Sequence, residues 1–190
     1  PVADTRATFR ALCDAMSRPG TIQQTPTDPA DHAVVGTLVD HEVSLYTVDT
    51  ELRETLSSQG RLKDAEPEAA DIVHTHGLWT PLSAAALGVP TWDVTDLTRG
   101  SLVEPSEGAT VIYRVDGLSS GDAEDDSELT TITLSGPGIP DTRSVAVGLS
   151  GDELNAIAAA QSAYPRGVDA VFTAEDRLLT VPRSVSMEVA

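Results

Sequence analysis

The 190-residue chain is poor in lysine, cysteine, aromatic residues and long apolar runs. Lys63 is the only lysine, beside eleven arginines, against 30 acidic residues and a formal charge of −18. The carboxylates are dispersed, and only Glu124–Asp126 forms a short run. Acidic nucleic-acid mimics and disordered acidic tails segregate their charge or lack a core. This chain does neither, since 40% of its residues are hydrophobic. Dispersed carboxylates with almost no lysine point to a surface adapted to molar salt, where a Debye length of about 3 Å screens self-repulsion. Nucleic acid and anionic membrane are disfavoured as main ligands, because both require clustered Lys and Arg.

The single cysteine, Cys13, excludes an internal disulfide and a cysteine-based zinc site. Phe9, Leu12, Cys13 and Met16 have the spacing of a buried helical face, which predicts Cys13 in the core. No apolar run approaches the roughly 20 residues that span a bilayer. Residues 1–10 are polar and charged, unlike an apolar leader, and the missing initiator Met reads as a trimmed start. The expectation is a soluble, cytoplasmic protein forming one domain over residues 1–190.

Local signals predict an α/β protein with a mixed β-sheet flanked by helices. A first helix is expected from an Asp4 or Thr5 cap to a stop before Pro19, and a second from Asp28 with Pro29 at its first position. Val43–Val48 reads as a strand, Thr50–Ser58 as a polar helix ending before Gly60, and Asp71–Thr75 as a buried strand. Thr80-Pro81 opens a helix that Gly88 and Pro90 close. Ala109, Val111, Tyr113 and Val115 alternate onto one strand face. Thr130–Leu134 and Ser144–Val147 continue the β pattern, with Ser119–Ser127 as a loop between. Ser150 and Glu153 have capping-box spacing ahead of a helical face of Leu154, Ile157 and Ala158. Val168–Thr173, Leu178–Val181 and an extended Ser184–Val189 close the chain around an acidic turn at Glu175-Asp176.

Familiar enzyme signatures are missing: there is no Walker loop, G-x-S-x-G elbow or H-E-x-x-H. Ser135-Gly136-Pro137-Gly138 follows a strand as a phosphate cradle would, but Pro137 has no N–H to offer, so a rigid turn is the better reading. His74-Thr75-His76 puts two imidazoles on one side of an extended segment. His32 and His41 lack ligand spacing, so with two ligands and no third no metal is assigned. Asp40-His41-Glu42 joins a helix to a strand and offers acid–base groups if it faces a pocket. Arg18 and Arg183 each adjoin a proline that fixes the backbone beside a guanidinium suited to anions or to a salt bridge.

Five ordered stretches carry a family resemblance. They are Thr8-Phe9-Arg10-Ala11-Leu12-Cys13-Asp14-Ala15-Met16-Ser17-Arg18-Pro19-Gly20-Thr21-Ile22, Thr37-Leu38-Val39-Asp40-His41-Glu42, Leu134-Ser135-Gly136-Pro137-Gly138-Ile139, Tyr164-Pro165-Arg166-Gly167-Val168-Asp169 and Leu179-Thr180-Val181-Pro182-Arg183-Ser184. Together they resemble the PhnH family of phosphonate metabolism over nearly the whole chain. The likeness is weaker between Ala69 and Leu102, and His74-Thr75-His76 is not a family mark.

The resemblance implies a non-catalytic subunit of the carbon–phosphorus lyase complex, homodimeric alone and partnered by PhnG, PhnI and PhnJ. That complex transfers phosphonate onto the ribose of ATP with release of adenine, ahead of C–P cleavage. It also implies a fold similar to PLP-dependent transferases but without PLP, since Lys63 lies in a polar stretch unsuited to a Schiff base. Cofactors are expected to be none, and Cys13 alone cannot ligate an iron–sulfur cluster. Arg18, Asp40, His41, Ser135, Gly136 and Arg183 are the candidate interface or binding residues. The second reading is a stand-alone enzyme, a phosphonate–nucleotide transferase or a metal-assisted hydrolase using His74 and His76, or else a ligand-binding regulator.

Overall fold

The structure is a computed structural model that describes residues 2–76, 92–122 and 128–190. Helices α1 (Val2–Ser17) and α2 (Ala30–Leu38) flank a short strand β1 (Gln23–Gln24). Then come β2 (Ser44–Thr47), α3 (Thr50–Ser58), β3 (Lys63–Asp64), β4 (Ile72–His76) and β5 (Thr110–Arg114). The remainder is β6 (Leu118–Ser120), β7 (Thr130–Ser135), β8 (Arg143–Val147), α4 (Gly151–Gln161), β9 (Asp169–Ala174), β10 (Arg177–Val181) and β11 (Ser186–Val189). The helix expected from Thr80 to Gly88 lies outside the described residues.

The strands form two sheets rather than the one expected. The larger has the order β1-β10-β9-β5-β4-β2-β3, with β9, β5, β4, β2 and β3 parallel and β10 and β1 antiparallel at one edge. The smaller, β11-β7-β8-β6, is antiparallel throughout. Ser119 and Ser120, expected in a loop, belong to β6, because Leu118 is buried and anchors that strand against β8.

Side-chain parity sorts the core into two layers. Tyr46, Val73, Val111, Tyr113 and Phe172 face the small sheet and α4, where they meet Ile132, Leu134, Leu154 and Ile157. Ala109, Val111, Tyr113 and Val115 share that cluster, as their alternation predicted. On the opposite face Leu45, Ile72, Ile112 and Val171 pack under α1, α2 and α3, against Leu12, Val34, Val35, Leu52 and Leu56. Each such side chain contributes about 1.5–3 kcal/mol when fully buried.

Three local expectations need correction. α1 buries Thr8, Ala11, Leu12 and Ala15, while Phe9 is 52% exposed and Cys13 is exposed, so Cys13 is not a core side chain. A face of small residues lets α1 lie close over α2 and β10, which outweighs the larger burial that Phe9 would bring. α1 also begins at Val2, ahead of the expected cap. Pro29 occupies the N-cap of α2, not its first helical position, and the first helical N–H, on Ala30, donates to the Glu175 carbonyl at 2.7 Å.

At the start of α3 Asp49, not among the expected caps, accepts from the Leu52 N–H. Of the expected Ser150/Glu153 capping box the Ser150 half forms, its side chain accepting from the Glu153 N–H at the start of α4. The Glu153 carboxylate instead accepts a 2.6 Å bond from the Tyr113 hydroxyl.

Candidate functional site

Four of the five family-like stretches meet in space, and Thr37–Glu42 lies apart from them. The Ser135–Ile139 turn lies between the exit of α1 and the Pro182–Val185 segment. A Cβ on Gly138 would stand 2.5 Å from the Ser17 carbonyl oxygen, and one on Gly136 3.2 Å from that of Ser184. Both glycines also have positive φ, of 82° and 133°, so backbone conformation and close approach demand glycine together.

Arg183 is engaged within the chain. Its Nε donates to Asp169 at 3.1 Å, one terminal nitrogen donates to Asp169 and to the Gly108 carbonyl, and the other donates to the Pro105 carbonyl. The Asp169 carboxylate also accepts the Arg183 backbone N–H at 2.8 Å. Arg183 thereby clamps the last strands of the large sheet to the loop before β5. Beside it, a cavity of about 290 Å³ is lined by Gln161, Tyr164, Ser184 and Met187 among others. Arg18 is largely exposed and pairs with Asp14 at 3.3 Å.

Asp40 and His41 lie at the amino end of β2, away from the carboxyl ends of the parallel strands, and both are exposed. Asp40 accepts the N–H groups of Glu42 and Val43 at 2.8 and 3.1 Å, and these bonds hold its carboxyl below the usual range. Asp40 therefore shapes the turn into β2. The six candidates do not converge: Arg18, Ser135, Gly136 and Arg183 share one region, and Asp40 and His41 occupy another.

A second cluster, of which the sequence showed only two members, lies at the carboxyl ends of β2, β4 and β5. From β2 the chain runs outward to β3, while β4 and β5 lie on its other side, so the β2–β4 boundary is a switch point of the kind where open parallel sheets bind ligands. Even-numbered residues of β4 face α2, which puts His74 and His76 on one side with ring centroids 5.7 Å apart. In register His74 stands opposite Thr47, and His76 opposite Arg114.

The His74 imidazole is 0% exposed and is held at both nitrogens, Nδ1 by the Thr47 hydroxyl at 2.7 Å and Nε2 by Asp31 at 3.1 Å. Asp31, from the first turn of α2, is 1% exposed. Burial pushes its carboxyl up, but His74, Arg114 and His32 together outweigh this and hold it below the usual range. Asp49 accepts from or pairs with His32 at 2.9 Å and lies 3.9 Å from His76. Burial, then the charges of His74 and Arg114, push His76 below the usual imidazole range. Two buried atoms of the cluster, Oδ1 of Asp31 and Nε2 of His76, have no hydrogen-bond partner among the described residues. Sequence spacing revealed the His74/His76 pair but not Asp31, Thr47, Asp49 or Arg114, which β-sheet register and helix packing bring in from elsewhere.

Fold and sites together define an α/β protein built on an open, largely parallel sheet backed by an antiparallel one, with a buried Asp–His cluster at its switch point. The chain belongs to the bacterial phosphonate metabolism protein (PhnH) family, whose profile matches residues 1–188. It is similar to the alpha-D-ribose 1-methylphosphonate 5-triphosphate synthase subunit PhnH of Rhizobium meliloti (strain 1021), at 29% identity over 201 residues, covering 99% of this chain and 92% of that protein.

Proposed function

We propose that this chain is the PhnH-type subunit of a carbon–phosphorus lyase assembly that places phosphonate on the ribose of ATP and releases adenine, and that its part is structural. The end-to-end family match carries the reading. Supporting it, four of the five family-like stretches contribute to shared packing around Arg183 and the Ser135–Ile139 turn, rather than to a set of convergent acid–base groups. One thiol cannot supply the several thiolates of a radical cluster. Lys63 is exposed on the edge strand β3 with its ammonium donating to the Glu42 carbonyl at 2.9 Å, so it lacks the desolvated pocket of a Schiff-base lysine. The fold likeness to PLP-dependent transferases is part of this proposal as an inherited scaffold.

The proposed partners are a second copy of the chain and subunits of the PhnG, PhnI and PhnJ type. Exposed apolar side chains suit such contacts: Phe9 on α1, Leu102 and Val103 at 73% and 90% exposure, and Tyr164 beside the Arg183 cavity. Arg18, Ser135 and Gly136 lie near the α1 exit and belong to the same proposed surface. Among the described residues no helix is long and apolar enough to cross a membrane. We place the assembly in the cytoplasm of an organism living at high salt.

The test is co-purification with the PhnG, PhnI and PhnJ counterparts from the same genome in molar KCl, followed by assay of adenine release from ATP and phosphonate. The expected result is a stable complex whose adenine release requires this chain. A lone protein that joins no partner at any salt concentration would overturn the reading.

A further inference from the structure

We propose that Asp31, His74 and His76 form a binding site for a divalent ion of the zinc class, with Thr47 and Asp49 as its supporting layer. One ligand atom from each of the three residues lies within 4.8 Å of the others. Zn–N and Zn–O bonds of about 2.0–2.2 Å put neighbouring ligands of a tetrahedral ion roughly 3.3–3.5 Å apart. His74 Nε2 and Asp31 Oδ2 already stand at 3.1 Å, so only His76 must close in. Its side chain is 40% exposed.

Three observations favour a metal over a purely structural hydrogen-bond chain. First, the Thr47–His74–Asp31 chain leaves Asp31 Oδ1 and His76 Nε2 buried without hydrogen-bond partners among the described residues, and a cation held by the Asp31 carboxylate would engage His76 Nε2 and offset the charge that Oδ1 carries unpartnered. Second, Thr47 holds the far nitrogen of His74, which is how a metal-bound imidazole is oriented. The Asp49 N–H in turn donates to the Thr47 hydroxyl at 3.1 Å, so that hydroxyl is itself fixed. Third, two imidazoles with one carboxylate suit zinc and leave a coordination position open, whereas magnesium and calcium take oxygen donors. Arg114 is the opposing charge, 3.8 Å from Asp31 Oδ2, but its side chain is 45% exposed and can swing into solvent.

The measurement uses the isolated full chain, so it stands or falls independently of the assembly reading. Chelator-stripped protein in molar KCl with excess Mg²⁺, which occupies surface carboxylates, is titrated with Co²⁺ and then Zn²⁺. The expected result is one equivalent of Co²⁺ with the visible absorption of a four- or five-coordinate centre, displaced by Zn²⁺, and a melting temperature that rises until one equivalent is bound. His76→Gln should lose the band and the stabilisation, and His41→Gln should keep both. Thr47→Val should bind about 10–100-fold more weakly, with recovery in Thr47→Ser. If His76→Gln does not fold, X-ray absorption on the zinc-loaded wild type decides: two imidazoles in the shell uphold the site, and an all-oxygen shell overturns it. Absence of the Co²⁺ band, or a band that His76→Gln retains, overturns it as well.

Discussion

Arg183 is the side chain whose removal should be felt most widely. It and its partner are 13% and 18% exposed, and the carboxylate of Asp169 receives both the guanidinium and the Arg183 backbone N–H. Replacing Arg183 by alanine strands a mostly buried carboxylate and removes the donors to the Pro105 and Gly108 carbonyls. Breaking one side of a fully buried pair costs about 3–5 kcal/mol, and the residual solvent access here lowers that to roughly 2–4 kcal/mol. For a chain of this length a melting temperature falls by about 2–4 °C per kcal/mol, so a drop of roughly 6–12 °C is expected at the midpoint of that range. Arg183→Lys should recover part of it, because an ammonium cannot span Asp169 and both carbonyls at once. Thermal unfolding followed by circular dichroism, repeated up to about 1 M KCl, is the assay. A buried clamp should keep its contribution where the Debye length is about 3 Å, and an exposed pair should not. A loss below about 2 °C, or one that salt abolishes, would refute the clamp and return Arg183 to the role of a free anion ligand.

Further expectations follow from single contacts. Burial, joined by the charge of Asp93 and opposed by the Tyr113 hydroxyl bond, raises the Glu153 carboxyl above the ordinary glutamate range. The folded chain then holds that proton longer than the unfolded one, so the group's contribution is best below the unfolded pKa and declines as pH climbs to the folded value. Glu153→Gln keeps an acceptor for Tyr113 and lacks this decline. Urea titrations from acid to neutral pH should show the wild type losing stability relative to the variant, and parallel curves would sink the idea. Cys13, exposed on α1, should react with a thiol reagent in the native protein, whereas reaction only after denaturation would restore it to the core. Gly138→Ala meets both a positive φ of 82° and a Ser17 oxygen 2.5 Å away, while Gly60→Ala meets a positive φ alone. The first should cost about 1–3 kcal/mol more than the second in paired melts, and equal losses would deny the close approach.

What was legible in the sequence was what is encoded locally. α3 spans Thr50–Ser58 as expected, stopping short of Gly60, and β5 buries the alternate residues that its pattern marks. The face of α1 was misread because two residue sets fit the same helical spacing. Phe9-Leu12-Cys13-Met16 is the more apolar set, and Thr8-Ala11-Leu12-Ala15 is the smaller one. Helix-on-helix approach selected the small set, and that selection depends on α2 and β10 rather than on α1. The division into two sheets was equally invisible, since β11 pairs with β7 from more than 50 residues away in the chain and no local signal states the partner.

The two sites differ in the same way. Parity was enough to put His74 and His76 on one side of β4, because alternation is a property of any extended strand. Whether they formed a pair of unrelated histidines or part of a cluster depended on Asp31, 43 residues earlier, reaching the face of β4 from the first turn of α2. The packing of α2 on the sheet, through Val34 and Val35, therefore does two things at once. It buries the apolar side of the helix and it drives a carboxylate among imidazoles at the one sheet boundary where crossovers diverge. A helix that only needed to cover the core would be more stable with an apolar residue in place of Asp31, since burying a carboxylate with one oxygen unpartnered is costly. That unmet cost separates this cluster from the Arg183–Asp169 clamp, where the paired groups answer one another within the chain.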